Sequence, residues 1–249
     1  MLDDNVFQNA RVFVAIGFRR RGLKKMFEWP VASRIDMDTY PRKQLYEHFL
    51  TFEIPVVTRT VQLDVTAFLD YIKSNNYRFS LALGFVITRA TNHVPELKHR
   101  IQDGYLVEFN KIIPSFTILS KDKLVYFSKG VFTDNFDADY PENLEINENA
   151  AKGLDQNVGS ENQGQIFITN NPWNSFTSLQ FPYSTRVASI PVFGIGKIYR
   201  DEKSIKAPLA IQNHHSLTDG YHIGHFLDIL NRHLEDPGLM RQPFVSHFK

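Results

Sequence analysis

Near its C-terminal end the chain reads Asn213-His214-His215-Ser216-Leu217-Thr218-Asp219-Gly220-Tyr221-His222-Ile223-Gly224-His225. Imidazole is the side chain whose ordinary pKa lies nearest neutrality, so a histidine can take a proton from a substrate hydroxyl and return it later. From His215 to Gly220 the pattern is His-x-x-x-Asp-Gly. The Asp219 carboxylate can be locked by a salt bridge that holds the local backbone, and the glycine lets a turn close against the next element. Alone, that spacing is weak, because a single histidine is more often a packed structural residue. Here five of the nine histidines, His214, His215, His222, His225 and His233, fall within twenty residues. A metal site is the competing chemistry, since His222 and His225 could share a helix face. No His-Glu-x-x-His pattern is present and His225 lies between the apolar positions Ile223 and Phe226, so no metal is expected.

To act, these residues must sit at the junction of a strand and a helix. Ser189 to Tyr199 and Ser204 to Gln212 read as two strands joined by the charged turn Arg200-Asp201-Glu202-Lys203, and the second delivers His214 and His215. Alternation along it turns His214 away from His215, toward packing. After Gly220, the residues Ile223, Phe226, Leu227, Leu230 and Leu234 keep helical spacing until Pro237-Gly238 stops the helix. Upstream, Ile35 to Thr51 contains a short helix with Asp38 or Thr39 as N-cap, Pro41 in its first turn and Arg42 near its start. Glu53 to Leu63 reads as a strand, Thr66 caps a helix over Ala67 to Ser74, and Ser80 opens another over Leu81 to His93. Tyr105 to Phe109, Ile112 to Leu119, Leu124 to Phe127 and Gln165 to Thr169 are further strands. The six acids between Asp134 and Glu148, with no Lys or Arg among them, read as the solvated face of an amphipathic helix. Asn170 to Ser178 is a loop both polar and aromatic, the composition of a site wall.

The 249 residues, 43% of them hydrophobic, suit one α/β domain, and no internal repeat or dividing linker is visible. A formal net charge of +1 gives no electrostatic footprint for nucleic acid. There is no cysteine, which excludes disulfides and thiolate metal sites, and no apolar run approaches the ~20 residues needed to span a bilayer. Near the N-terminus, Arg19 to Arg21, Lys24 and Lys25 follow the apolar patch Val12 to Phe18, the wrong order for a secretory signal, and a cytoplasmic location fits. Residues 1 to 25 differ in composition from the rest and are expected to be a disordered or non-native extension ahead of a single domain over residues 26 to 249.

The stretch from Asn213 to Gly224, preceded by Ala207-Pro208-Leu209-Ala210-Ile211-Gln212, resembles the active-site signature of type A chloramphenicol acetyltransferases. Three further stretches match that family in order: Arg42-Lys43, Val61 to Leu69, and Asn171-Pro172-Trp173-Asn174-Ser175-Phe176-Thr177-Ser178. The resemblance runs from about Met26 to about Asp236. It implies a two-layer mixed β-sheet with packed helices, the fold of CoA-dependent acyltransferases. It implies direct transfer from acetyl-CoA to a hydroxyl of a small acceptor, chloramphenicol being one candidate and antibiotic inactivation the outcome. It also implies a homotrimer with active sites between subunits.

By position in the motifs, His215 is the general base, Asp219 the structural carboxylate and Arg42 its partner. Trp173, Lys197 and Arg78 fall where the family contacts coenzyme A, Arg78 replacing a lysine, and Phe49 and Phe127 fall at acceptor-pocket positions. The serine that hydrogen-bonds the tetrahedral oxyanion is replaced by Thr169, and a threonine that holds a water for the same intermediate is replaced by Gly194. Losing an oxyanion donor can cost about a hundredfold in turnover, so Gly194→Thr is expected to raise the rate on chloramphenicol if the backbone there tolerates a side chain. The rival reading is a trimeric small-molecule-binding protein that kept the base and lost efficient oxyanion stabilisation.

Overall fold

The structure is a computed structural model and describes residues 28–154 and 162–245; the extension expected over residues 1 to 25 lies outside the described residues. In chain order the strands are β1 (Ala32–Arg34), β2 (Val56–Asp64), β3 (His99–Gln102), β4 (Tyr105–Phe109), β5 (Ile113–Leu119), β6 (Val125–Lys129), β7 (Gln165–Asn170), β8 (Val192–Ile195), β9 (Tyr199–Asp201) and β10 (Ser204–His214). The helices are α1 (Lys43–Leu50), α2 (Thr66–Ser74), α3 (Phe79–Asn92), α4 (Phe136–Ala150) and α5 (Gly220–Glu235). One mixed sheet runs β2-β10-β8-β7-β5-β6, with β9 also on β10, and a small antiparallel sheet runs β1-β4-β3. In the large sheet β5 to β7 and β7 to β8 are parallel, and the other pairs are antiparallel.

Strand alternation gives the large sheet two unlike faces. Ile168, Phe193, Ile195, Leu209 and Ile211 are fully buried in a cluster shared with α2, α3 and α5. Their neighbours in sequence, Phe167, Thr169, Val192 and Gln212, line a cavity on the other face. Helix α3 is the centre of the packing, with every residue from Leu81 to Thr91 buried. Its polar members remain satisfied: Thr88 and Thr91 hydroxyls donate to the carbonyls of Gly84 and Ile87 at 2.7 and 2.8 Å. Arg89, 1% exposed, donates to Asp134 Oδ1 and to the carbonyls of Asp134 and Leu239. Gly84 lets this helix lie directly on the sheet, because a Cβ there would stand 2.6 Å from the Phe116 ring.

Several expected boundaries move, each for a local reason. Helix α1 begins at Lys43 rather than near Pro41, because Asp36 Oδ1 takes the Asp38 N–H and Asp36 O takes the Thr39 N–H, closing a turn over the expected cap. Thr66 is the first residue of α2, not its cap; Asp64 accepts both the Thr66 N–H at 3.1 Å and its hydroxyl at 2.7 Å. The strand expected over Ser189 to Tyr199 is two strands, β8 and β9, separated at Gly196-Lys197-Ile198. Opposite the break stands Pro208, which has no N–H to give; only its carbonyl bonds across, accepting the Gly196 N–H at 2.9 Å. On α4, Asp137, Glu142, Glu145 and Glu148 are exposed as expected, whereas Asp139 is buried and accepts the Thr133 N–H and hydroxyl.

Candidate active site

The chain turns as soon as β10 ends. The Leu217 and Thr218 N–H groups donate to His214 O at 3.0 and 3.1 Å, and the His215 N–H donates to Pro55 O at 2.7 Å, tying the turn to the entry of β2. Buried Asn213 clamps it from within, donating to Thr218 O at 3.3 Å while accepting from Arg59 Nη1 at 3.1 Å. Asp219 then caps α5, its Oδ1 accepting the Tyr221 N–H at 2.9 Å, where the positive end of the helix dipole favours a carboxylate.

His215 Nδ1 lies 3.2 Å from Thr218 O. A carbonyl can only accept, so Nδ1 carries the proton and Nε2 is left with its lone pair, the form a general base needs. The ring stacks on Phe49 at 3.9 Å between centroids and 21° between planes, so the Phe49 expected in an acceptor pocket also fixes the plane of the imidazole. His214 is 5% exposed, its Nδ1 accepts the Ser216 N–H at 3.3 Å, and burial lowers its pKa to about 4. It is neutral and enclosed, the packing residue that alternation implied.

Asp219 Oδ2 accepts a hydrogen bond from Arg42 Nη1, the pair foreseen in the sequence. Burial alone would raise the Asp219 pKa, but the Arg42 hydrogen bond, the charges of His222 and Arg42 and the Tyr221 N–H outweigh it and hold the carboxyl below its ordinary 3.8. Sequence reasoning weighed His222 only as a metal ligand. In the structure its Nδ1 is 2.9 Å from Asp219 Oδ1 and its Nε2 3.5 Å from Glu96 Oε1, so the ring sits between two carboxylates. The close Oδ1 contact favours a proton on Nδ1, and in that form the nitrogen has no lone pair for the Asp219 N–H 3.2 Å away, so the two contacts are alternatives. A capping-box offset of three residues was the available signal, but histidine is not among the residues that usually fill it. Among the described residues no group of three or more His, Cys, Asp or Glu is arranged to hold a metal ion.

The remaining expected residues lie elsewhere. Thr169 on β7 stands opposite Gly194 on β8, which stands opposite Ala210 on β10. Thr169 and Phe127 line a cavity of about 280 Å³ with Thr117, Phe167, Phe181 and Gln212 among its walls. Trp173 is 61% exposed on its loop, and the Lys197 N–H donates to Asn174 O at 2.8 Å, which holds that loop beside the β8–β9 break. Arg78, at the start of α3, is bound instead to Glu148 of α4 at 2.6 Å.

Gly194 has an unstrained backbone, its φ lying outside the left-handed region, which meets the condition set for a side chain there. Space is what fails: an added Cβ would stand 2.6 Å from Phe181 Cζ and 2.9 Å from Leu179 Cδ2. Gly194→Thr is therefore expected to cost about 1 to 3 kcal/mol through overpacking and to bring no gain in rate, because the Phe181 ring already fills the place of the missing hydroxyl. Thermal denaturation of Gly194→Thr beside the double variant Gly194→Thr/Phe181→Leu checks this; recovery in the double variant is the expected result.

An imidazole at the end of the central strand, a salt-bridged carboxylate four residues on and a mixed sheet with helices packed on one face are the arrangement to compare with known folds. The solved structure of a chloramphenicol acetyltransferase superposes on this chain with a TM-score of 0.72 at 24% identity, covering 82% of this chain and 100% of that one. The dihydrolipoamide acetyltransferase of Azotobacter vinelandii superposes with a TM-score of 0.58 at 15% identity, covering 79% and 88%, which extends the likeness of fold to a second group of acetyltransferases. In sequence, the chloramphenicol acetyltransferase of Escherichia coli is 30% identical over 211 residues, 81% of this chain and 93% of that relative. The sequence model of the family described as chloramphenicol acetyltransferase matches residues 31–231. This chain belongs to the chloramphenicol acetyltransferase family.

Proposed function

We propose that this chain transfers the acetyl group of acetyl-CoA to a hydroxyl of a small uncharged acceptor, chloramphenicol among them, and thereby inactivates the antibiotic. The observation that carries the reading is the His215 imidazole, with its proton placed on Nδ1 by Thr218 O and its plane fixed by Phe49. In this mechanism His215 Nε2 takes the acceptor's hydroxyl proton as the oxygen attacks the thioester carbonyl. The Thr169 hydroxyl donates to the oxyanion that forms, and Nε2 returns the proton to the coenzyme A thiolate as the C–S bond breaks. Arg42 and Asp219 hold the turn that aims the base. Trp173 and Lys197 receive coenzyme A, and Arg78 joins them once its bond to Glu148 opens. Phe49 and Phe127 contact the acceptor, and residues 26 to 249 make up the catalytic domain.

The same reading includes a homotrimer in the cytoplasm, and the sheet register supports the assembly. His215 lies five residues beyond Ala210, just past the end of β10, and Ala210 is two strands away from Thr169. At about 3.3 Å per residue and about 4.8 Å per strand, the two backbone positions are roughly 19 Å apart, too far for both side chains of one chain to meet at one carbonyl. Phe49 lies with His215 and Phe127 with Thr169, so each chain holds two half-sites that a neighbour can complete.

The testing experiment is an assay of acetyl transfer from acetyl-CoA over chloramphenicol and a panel of other alcohols, with sedimentation of the same sample. Transfer by a trimer, falling away on dilution to monomer, is the expected outcome. A fully active monomer contradicts the shared site, and binding of acceptors without transfer establishes the rival reading of a binding protein.

A further inference from the structure

Gln212 stands just ahead of the catalytic turn, and nothing in the mechanism above uses it. It is 7% exposed, on the central strand β10, and it lines the cavity that contains Thr169 and Phe127. Its Oε1 accepts two hydrogen bonds at 3.2 Å, from the Phe181 N–H and from the Thr58 hydroxyl. A backbone N–H can only donate, so the oxygen of the carboxamide is assigned to that side and the NH₂ group to the other. Nε2 has no hydrogen-bond partner among the described residues. Gln212 lines the cavity, so an acceptor oxygen on a bound molecule can take this donor in place of solvent.

The surroundings limit what that molecule is. Phe127, Phe167, Phe181 and Tyr183 make the walls aromatic, and among the described residues no Lys, Arg, His, Asp or Glu lines the cavity. Nothing there offsets the desolvation of a charged ligand, so phosphorylated, carboxylate and quaternary-amine alcohols are disfavoured. Register puts Gln212 in one row with Val192 and Phe167, and Thr169 in the next row on the same face. Two strands across and two residues along, Thr169 and Gln212 are about 12 Å apart at their backbones, and their side chains reach inward to span a single substituted aromatic ring.

We propose that Gln212 is a specificity-determining residue of the acceptor site: its Nε2 donates to an oxygen carried by an uncharged aromatic alcohol at the end remote from the hydroxyl that is acetylated. The assignment of the occupant as an alcohol rests on the acetyltransferase reading; the polarity of the contact rests on Gln212 alone.

Two probes of matched shape test it, 4-nitrobenzyl alcohol and 4-isopropylbenzyl alcohol, which end in two oxygens or in two methyl groups. Their affinities are measured by titration calorimetry on the whole chain, so turnover is not required. The wild type is expected to prefer the nitro compound about tenfold or more. Gln212→Met removes the donor and is expected to bring the ratio close to one. Because Gln212→Met also releases Phe181, Gln212→Glu is the second variant: it keeps an oxygen for Phe181 and Thr58, turns the open edge from donor to acceptor, and is expected to bind the nitro compound worse than the isopropyl one. Equal affinities in the wild type, an unchanged ratio in both variants or failure of the nitro compound to bind the wild type overturns the proposal. Failure of the acetyltransferase reading appears separately, as absence of transfer to any alcohol by the wild type.

Discussion

Replacing His215 by alanine is expected to lower acetyl transfer by roughly two to four decades while acetyl-CoA continues to bind. An alcohol is a poor nucleophile near neutral pH, and its attack on a thioester requires loss of the proton as the C–O bond forms. Thr218 O occupies Nδ1 and leaves Nε2 as the one ring atom able to receive that proton. His214 is the internal control. Enclosed at 5% exposure and with its pKa lowered to about 4 by burial, it lacks access to a substrate. His214→Ala is expected to lower the melting temperature and to keep most of the rate per folded molecule. Steady-state rates and calorimetric binding of acetyl-CoA on both variants decide the matter; near-full activity of His215→Ala, or loss of chemistry in a folded His214→Ala, overturns the assignment.

Asp219→Asn is expected to cost about a hundredfold in kcat, the scale at which displacement of a catalytic group by about 1 Å is felt, and to lower stability as well. Asp219 does not touch the His215 ring; it supports the backbone that carries it. The asparagine can still cap α5, so the helix itself loses little. Arg42 loses its charged partner, and its Nε and Nη2 are already without partners among the described residues, so a poorly solvated guanidinium is left uncompensated. Because the Asp219 pKa is lowered in the folded state, its contribution to stability is present above its unfolded value near 3.8 and is lost as pH falls through the lower folded value. Urea midpoints should therefore separate the two proteins at neutral pH and converge in acid below the ordinary carboxylate range. The pH profile of kcat should keep its shape, because the titrating base is the same; a profile displaced along the pH axis would mean that Asp219 tunes the imidazole directly.

What could be read from the sequence was the local chemistry. The His-x-x-x-Asp-Gly spacing placed His215 and Asp219 at a strand-to-helix junction, and alternation separated His214 from His215, because both depend on neighbours a few residues away. Contacts across large separations were not legible. Glu96 meets His222 only once the turn Pro95–Lys98 has packed on α5, and Arg59 meets Asn213 only once β2 has paired with β10. The split of one expected strand into β8 and β9 followed from Pro208, a residue of the opposite strand, and its hydrophobic pattern gave no sign of it. Gly194 suggested an absent hydroxyl; that Phe181 fills the space belongs to a loop path no local pattern encodes.

The position of β10 in the sheet sets the order in which the molecule can be completed. It lies between β2 and β8, yet it is the last strand among the described residues, pairing Val56–Asp64 with residues about 150 positions later. During synthesis, the residues ahead of Ser204 leave the ribosome with the facing edges of β2 and β8 unpaired. Long-range pairing of that kind is slow, and open sheet edges invite association with other chains while it waits. Nascent chains halted before Ser204 should be captured by chaperones and cut readily by protease, and the step to resistance should come only when β10 and α5 have emerged.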